Sequence, residues 1–239
     1  MIGTAINAAA ILAGGTVGLA SKSQLSIRRQ QNLRIILGVF AVYFGLRAFW
    51  IGIGIPGGQR LRNFLVVLVA LMLGKLTGNL IGIQRRLNVL GKHAKQQYES
   101  VGHSGQRRFS DGFVAGAILY CMAPLATLGA IQDGLLADFR ILVVKAVMDG
   151  MAMITFARSF GWSILVSVLP VAAYQGTITL LARLLAPELE ARFLLGSVYA
   201  ATGFMVFAVA LAILQLRKTD VSDYFPALVF APVLSWLVH

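Results

Sequence analysis

Lys145 and Asp149 are the residues of this sequence best placed to do chemistry. They lie four apart in the apolar run Ile141 to Ala157, so on a helix they share one face. A charged side chain at the centre of a membrane helix costs about 2.5–3.5 kcal/mol on insertion scales. Pairing reduces that cost, because each charge favours the charged form of the other. The pair suits a proton-linked switch or an anchor for a charged solute; the plainer reading is a salt bridge that fixes helix packing. Apolar side chains make a purely structural contact more simply, which tilts the balance towards function.

A wider polar set surrounds this pair in the sequence. Gln132 and Asp133 close another apolar run, and Gly134 follows them. An Asp-Gly step there either ends the helix or breaks it at membrane depth, where freed carbonyls can meet a ligand. Asn7, Tyr174 and Gln175 place uncharged hydrogen-bonding groups inside apolar runs. Such groups commonly join helices, for about 0.6 kcal/mol each, and they also line sites. The binding candidates are therefore Asp149, Lys145, Asp133, Gln132, Asn7, Tyr174 and Gln175. Arg47 and Lys75 lie nearer run ends, where snorkelling to the interface explains them. Cys121 is the one cysteine, and His93 and His103 have no acidic or Cys partner at ligand spacing, so no metal site is expected. Neither a nucleophile constellation nor a phosphate loop is present, and the expectation is a non-enzyme without catalytic residues or cofactor.

The elements that carry these residues follow from composition. Of 239 residues, 58% are hydrophobic and 13% charged. A soluble globule carries about 25% charged residues, so water is not the main solvent of this chain. Its net charge of +12 suits a nucleic-acid binder only superficially, and no nucleic-acid partner is expected. Eight runs approach the length that crosses a bilayer: Ile2 to Ala20, Leu33 to Ile55, Phe64 to Ile83, Gly112 to Ile131, Ile141 to Ala157, Trp162 to Ala182, Phe193 to Leu216, and Tyr224 to Val238. The last is short, carries Pro226 and Pro232, and is either a kinked crossing or re-entrant. The runs are continuous rather than alternating, which excludes a barrel. The start of the chain lacks the basic region of a cleaved signal, so the first run is expected to be retained.

The excess charge is sorted. Lys22, Arg28, Arg29, Arg34, Arg85, Arg86, Lys92, Lys95, Arg107, Arg108, Arg158, Arg217 and Lys218 fall on one side, 13 in all, against Arg60, Arg62, Arg140, Arg183 and Arg192 on the other. The positive-inside rule makes the first side cytoplasmic, with both termini outside if all eight runs cross. Gln84 to Ser110 is the long polar connection. It is either an amphipathic helix on the anionic leaflet or a solvated loop, with a flexible stretch at Gly102 to Gly105.

An internal repeat is visible in outline. Ile6 to Thr16 aligns with Ser167 to Thr177, Gly38 to Val42 with Gly203 to Phe207, and Asn63 to Val66 with Tyr224 to Ala227, in that order. The fold expected is an all-α polytopic membrane protein of seven to eight transmembrane helices, with inverted-topology three-helix repeats flanking a central helix pair. Its parts are residues 1–83, the basic segment 84–110, the central pair 111–160 and the second repeat 161–239. Gly14, Gly15, Gly18, Gly74, Gly78, Gly112, Gly116, Gly150 and Gly176 allow close helix approach, within one bundle or between subunits of a homo-oligomer. Besides the lipid bilayer, the expected partner of a permease is a small solute or ion; a non-transporting scaffold or regulator is the alternative.

Several blocks carry a family resemblance. Met1 to Asn7 with Ala10 to Gly15, Ile131 to Leu135, Lys145 with Asp149-Gly150, and Pro170-Val171 with Tyr174-Gln175-Gly176 and Ile178 to Ala182 resemble the YqgA/YdfK-like bacterial membrane proteins, domain of unknown function 554. The resemblance implies a multi-pass protein of the bacterial inner membrane and supplies no substrate. Ala146 departs from the pattern, which has a small hydroxyl residue after the lysine.

Overall fold

The computed structural model describes residues 1–21, 26–54, 60–104 and 109–238, with the side chains of 97, 98 and 100–104 left aside. Lys22, Ile55, Gly105, Arg107, Arg108 and the side chain of His103 lie outside the described residues. Ten α-helices follow one another: α1 (Ile2–Ala20), α2 (Ile27–Ile53), α3 (Arg60–Ile81), α4 (Ile83–Ser104), α5 (Phe109–Cys121), α6 (Pro124–Leu136), α7 (Arg140–Phe160), α8 (Val168–Ala191), α9 (Leu195–Ile213) and α10 (Ala227–Val238). Short 3-10 segments, Gly161–Ser167 and Val221–Tyr224, lead into α8 and α10. No strand occurs among the described residues. Six helical stretches are long and apolar enough to cross a membrane, and the bent pair α5–α6 makes a seventh.

Local chemistry sets the boundaries. The Ser26 hydroxyl accepts from the Arg29 N–H and starts α2 ahead of the apolar run. Gly82, at φ 72, separates α3 from α4. Gly161, at φ 73 and ψ −155, stops α7 and turns the chain back. That turn divides Arg140–Ala191, 52 helical residues and far longer than a bilayer needs.

The expected straight span Gly112 to Ile131 is instead broken, with α5 and α6 meeting at 58°. Pro124 is the cause. It has no N–H to give the preceding turn, and it drives Ala123 to φ −61 and ψ 126, out of the helical region. The Asp133-Gly134 step neither breaks nor ends its helix, which runs on to Leu136 and closes at Ala137 with φ 53. Gly134 lets α6 approach α8, where a Cβ would stand 2.5 Å from the Thr179 carbonyl and the Ala182 methyl. Gln84 to Ser110 takes the helical option: α4 covers this segment through Ser104, so Gly102 to Ser104 belong to its last turn. The central unit therefore holds three helical rods, α5, α6 and α7.

Close pairs assemble the bundle. α1 runs parallel to α7, with Gly3 against Leu142, Gly14 against Gly150, and Gly18 against Ile154 and Ala157. α6 runs parallel to α8, and α5 lies along Gly161–Ser167 through Gly112 on Ser163 and Gly116 on Ser167. α2 runs antiparallel to α9, where Gly45 and Gly203 face one another, and α3 meets α10 and its leading turn through Gly74 on Ala227 and Gly78 on Asp223. Gly15 meets Leu165, and Gly150 meets the Ala10 carbonyl; a Cβ on Gly176 would meet the Met1 methyl at an ordinary 3.6 Å. α9 is buried along most of its length, whereas α2, α3, α8 and α10 turn large apolar side chains such as Leu76, Leu80, Leu184 and Trp236 outward.

Candidate functional site

Lys145 and Asp149 form an ion pair along one face of α7, as their spacing predicts. They are 1% and 8% exposed, so the charges have been taken out of solvent and depend on each other and on neighbouring dipoles. Tyr120, at the end of α5, turns its ring to the ammonium at 5.9 Å. From α1 the Asn7 amide faces the Asp149 carboxylate, and Cys121 lies close enough to feel both charges. Asn7 Nδ2 donates to Gln175 Oε1 of α8 at 3.2 Å, and both residues are fully buried. The break before Pro124 thus ends α5 beside the pair, and the close α1–α7 contact brings Asn7 to it.

The remaining candidates divide. Asp133 is buried at the other end of α1, accepting from the Gly3 N–H at 3.2 Å and lying 3.0 Å from the Met1 amino group. A carboxylate suits the positive end of a helix. Gln132 faces α9, donating to Thr202 Oγ1 at 3.2 Å. Tyr174 shares a hydrogen bond with Thr127 on the exposed flank of α6 and α8. The structure therefore unites Asn7, Gln175, Lys145 and Asp149, leaves Asp133 at the N-terminal end of α1, and turns Gln132 and Tyr174 to other helices.

Sequence reading missed two groups. Thr4 and Thr179 are buried on α1 and α8, one turn from Asn7 and from Gln175; that spacing was the available signal. The second group is centred on Asp138, in the turn after α6, which accepts from Tyr199 at 2.6 Å and Arg140 at 3.3 Å and lies 3.6 Å from Arg47. These residues line a cavity of about 290 Å³. Arg47 is accordingly anchored by an ion pair, and Lys75 lies over the Tyr224 ring at 5.3 Å. Between α2 and α7, Met148, Met151, Ala152 and Thr155 line a cavity of about 190 Å³ with Gln30 and Arg34. No group of His, Cys, Asp and Glu suited to a metal ion occurs among the described residues.

The model of the family described as "Protein of unknown function (DUF554)" matches residues 2–236. The chain is 26% identical over 239 residues to the uncharacterized membrane protein YdfK of Bacillus subtilis strain 168, covering 100% of this chain and 97% of the relative. It is 28% identical over 236 residues to the uncharacterized protein YqgA of Escherichia coli strain K12, covering 98% and 96%. No solved structure matches. With its several apolar helices and a family match over nearly its whole length, the chain is a membrane protein belonging to the DUF554 family.

Proposed function

We propose that this protein is a multi-pass permease for a small polar solute or ion, with its site at Lys145, Asp149, Asn7 and Gln175. The observation that carries the reading is a buried ion pair met by the Asn7 amide of α1, which in turn donates to Gln175 of α8. Intramembrane charges mark substrate and ion pathways more often than they serve packing. Asp133 guards the approach from the N-terminal end.

Inverted repeats account for the setting. Exchanging α1 with α8, α2 with α9, α3 with α10 and α6 with α7 carries the α1–α7 contact onto α8–α6 and the α2–α9 and α3–α10 contacts onto themselves. Asp149-Gly150, against Ala10 and Gly14 of α1, then corresponds to Asp133-Gly134, against Thr179 and Ala182 of α8. Asn7 corresponds to Gln175 in this register, which is two helical turns from the alignment suggested by sequence. Eight crossings follow if α5–α6 is one span and the Gly161 turn separates two. The α4 end carries Arg28, Arg29, Arg34, Arg85, Arg86, Lys92, Lys95, Arg158, Arg217 and Lys218, which supports a cytoplasmic α4 end in a bacterial inner membrane. Homo-oligomerisation through lipid-facing helices completes the proposal, which involves no enzymatic step and no nucleic acid.

Purified protein in liposomes is expected to move a member of a panel of ions, amino acids and sugars, and Asp149→Asn to abolish that flux. No flux across the panel overturns the reading. The second reading, a non-transporting scaffold, draws on the fact that Lys145 and Asp149 neutralise each other; it requires the Asp149 variant to change stability alone.

A further inference from the structure

Six buried side-chain polar atoms have no hydrogen-bond partner among the described residues: Thr4 Oγ1, Asn7 Oδ1, Tyr120 OH, Gln175 Nε2, Thr179 Oγ1 and Ser222 Oγ. Five of the six belong to one neighbourhood, and Ser222 stands apart in the turn before α10. Each carries the cost of leaving water without replacement. Four of the five lie between α1 and α8, in a seam that is closed to water in this packing; opening the seam brings water to polar groups that lack partners.

The four on α1 and α8 follow one another along the seam. Thr4 precedes Asn7 by one turn of α1, and Thr179 follows Gln175 by one turn of α8, so each pair shares a helix face. α1 and α8 run in opposite directions, because α1 parallels α7 and Gly161 reverses the chain before α8. Thr4 and Thr179 therefore lie on the same side of the Asn7–Gln175 hydrogen bond, towards the N-terminal end of α1. Asp133 stands at that end, bonded to the Gly3 N–H. At the opposite end the Asn7 amide faces Asp149, and Tyr120 stands beside Lys145. Hydroxyl and amide groups thus run from one buried carboxylate to the other.

We infer that the α1–α8 seam is a proton path between the N-terminal end of the bundle and Asp149, carried by a file of water that enters when the seam opens and hydrogen-bonds to Thr4, Thr179, Asn7 and Gln175. The inference rests on the permease reading and adds the proton as its coupling ion. A proton from the aqueous phase passes along the file, and the Asp149 carboxylate takes it, forming an O–H bond. Lys145 then holds the one charge of the pair. Its ammonium releases a proton towards the cavity lined by Gln30, Arg34 and Thr155. Transfer of the Asp149 proton to the Lys145 amine restores the ion pair, so one proton enters and one leaves. The titratable groups facing Asp149 are Lys145 on its own helix and Tyr120 and Cys121 on α5.

Proteoliposomes holding a pH-sensitive dye, with a negative interior potential set by potassium and valinomycin, read this directly. Wild-type protein is expected to take up protons faster than protein-free liposomes. The isosteric double variant Thr4→Val/Thr179→Val is expected to cut uptake by about a hundredfold, the lower end of the scale for losing a positioned proton-transfer group. Ser222→Ala, outside the seam, should leave uptake unchanged. Gln175→Met replaces the double variant if the latter does not elute as a single peak in detergent. Wild-type uptake at the protein-free level, or seam variants equal to wild type, overturns the path. Solute flux without proton uptake removes the path and leaves the permease; proton uptake with no solute flux across the panel does the reverse.

Discussion

Asn7 of α1 donates a hydrogen bond to Gln175 of α8 at 3.2 Å, and both side chains are fully buried. This amide contact joins residues 168 positions apart. It ties the helices on either side of the central rods at the level of the Lys145–Asp149 pair. Removing either amide takes away the contact and leaves the other buried. Asn7→Leu should destabilise the protein by about 1–3 kcal/mol, the cost of orphaning a buried polar partner. Asn7→Leu/Gln175→Leu should cost less than the sum of the two single changes. Thermal unfolding in detergent across this cycle gives the coupling.

The α1–α7 contact sets a steric prediction. A Cβ on Gly14 collides with the Gly150 backbone, which cannot move without shifting α7, whereas one on Gly176 meets the Met1 methyl at 3.6 Å. Gly14→Val should lower stability by about 1–3 kcal/mol or more through overpacking. Gly176→Val should cost clearly less, because its Cβ meets only the flexible end of the Met1 side chain at an ordinary distance. Paired melting curves decide between them, and equal losses would remove the contact as the reason.

Asp138 holds Tyr199, Arg140 and Arg47 at one end of the bundle. Tyr199→Phe removes one hydrogen bond to a charged acceptor and should cost about 1.5–3 kcal/mol. Arg140→Ala removes a half-exposed pair and should cost under about 1 kcal/mol. Chemical unfolding of the two variants tests that order.

Sidedness has its own test. In a Cys121→Ser background, Lys92→Cys should react with a membrane-impermeant thiol reagent only after the cytoplasmic face is opened, because the basic α4 end belongs inside. Labelling from intact cells would invert the proposed topology.

Much of this architecture is legible in the amino-acid sequence, because a bilayer imposes length and apolarity on each crossing. The i,i+4 spacing of Lys145 and Asp149 likewise defines a shared face through helical periodicity alone. The bend beside them was harder to locate. Pro124 and Asp133-Gly134 both signal a break, and only packing shows that Gly134 serves the contact with Thr179 and Ala182 while Pro124 interrupts the helix. Asp138 escaped notice because its partners Arg47 and Tyr199 are remote in sequence and meet it through α2–α9 packing. Thr4 and Thr179 escaped for a similar reason. A threonine inside an apolar helix bonds its own backbone as readily as a neighbour, so their one-turn spacing from Asn7 and Gln175 was a weak signal until burial without a partner singled them out.

The most direct measurement replaces the buried pair by apolar residues of similar volume. Lys145→Met alone leaves a buried carboxylate without its cation and should cost about 3–5 kcal/mol; Lys145→Met/Asp149→Leu should recover most of that loss. The double variant separates packing from transport because it keeps the fold and lacks the charges. Reconstituted in liposomes, it is predicted to melt near wild type and to carry no solute flux. A double variant that transports at the wild-type rate would contradict a site at Lys145 and Asp149.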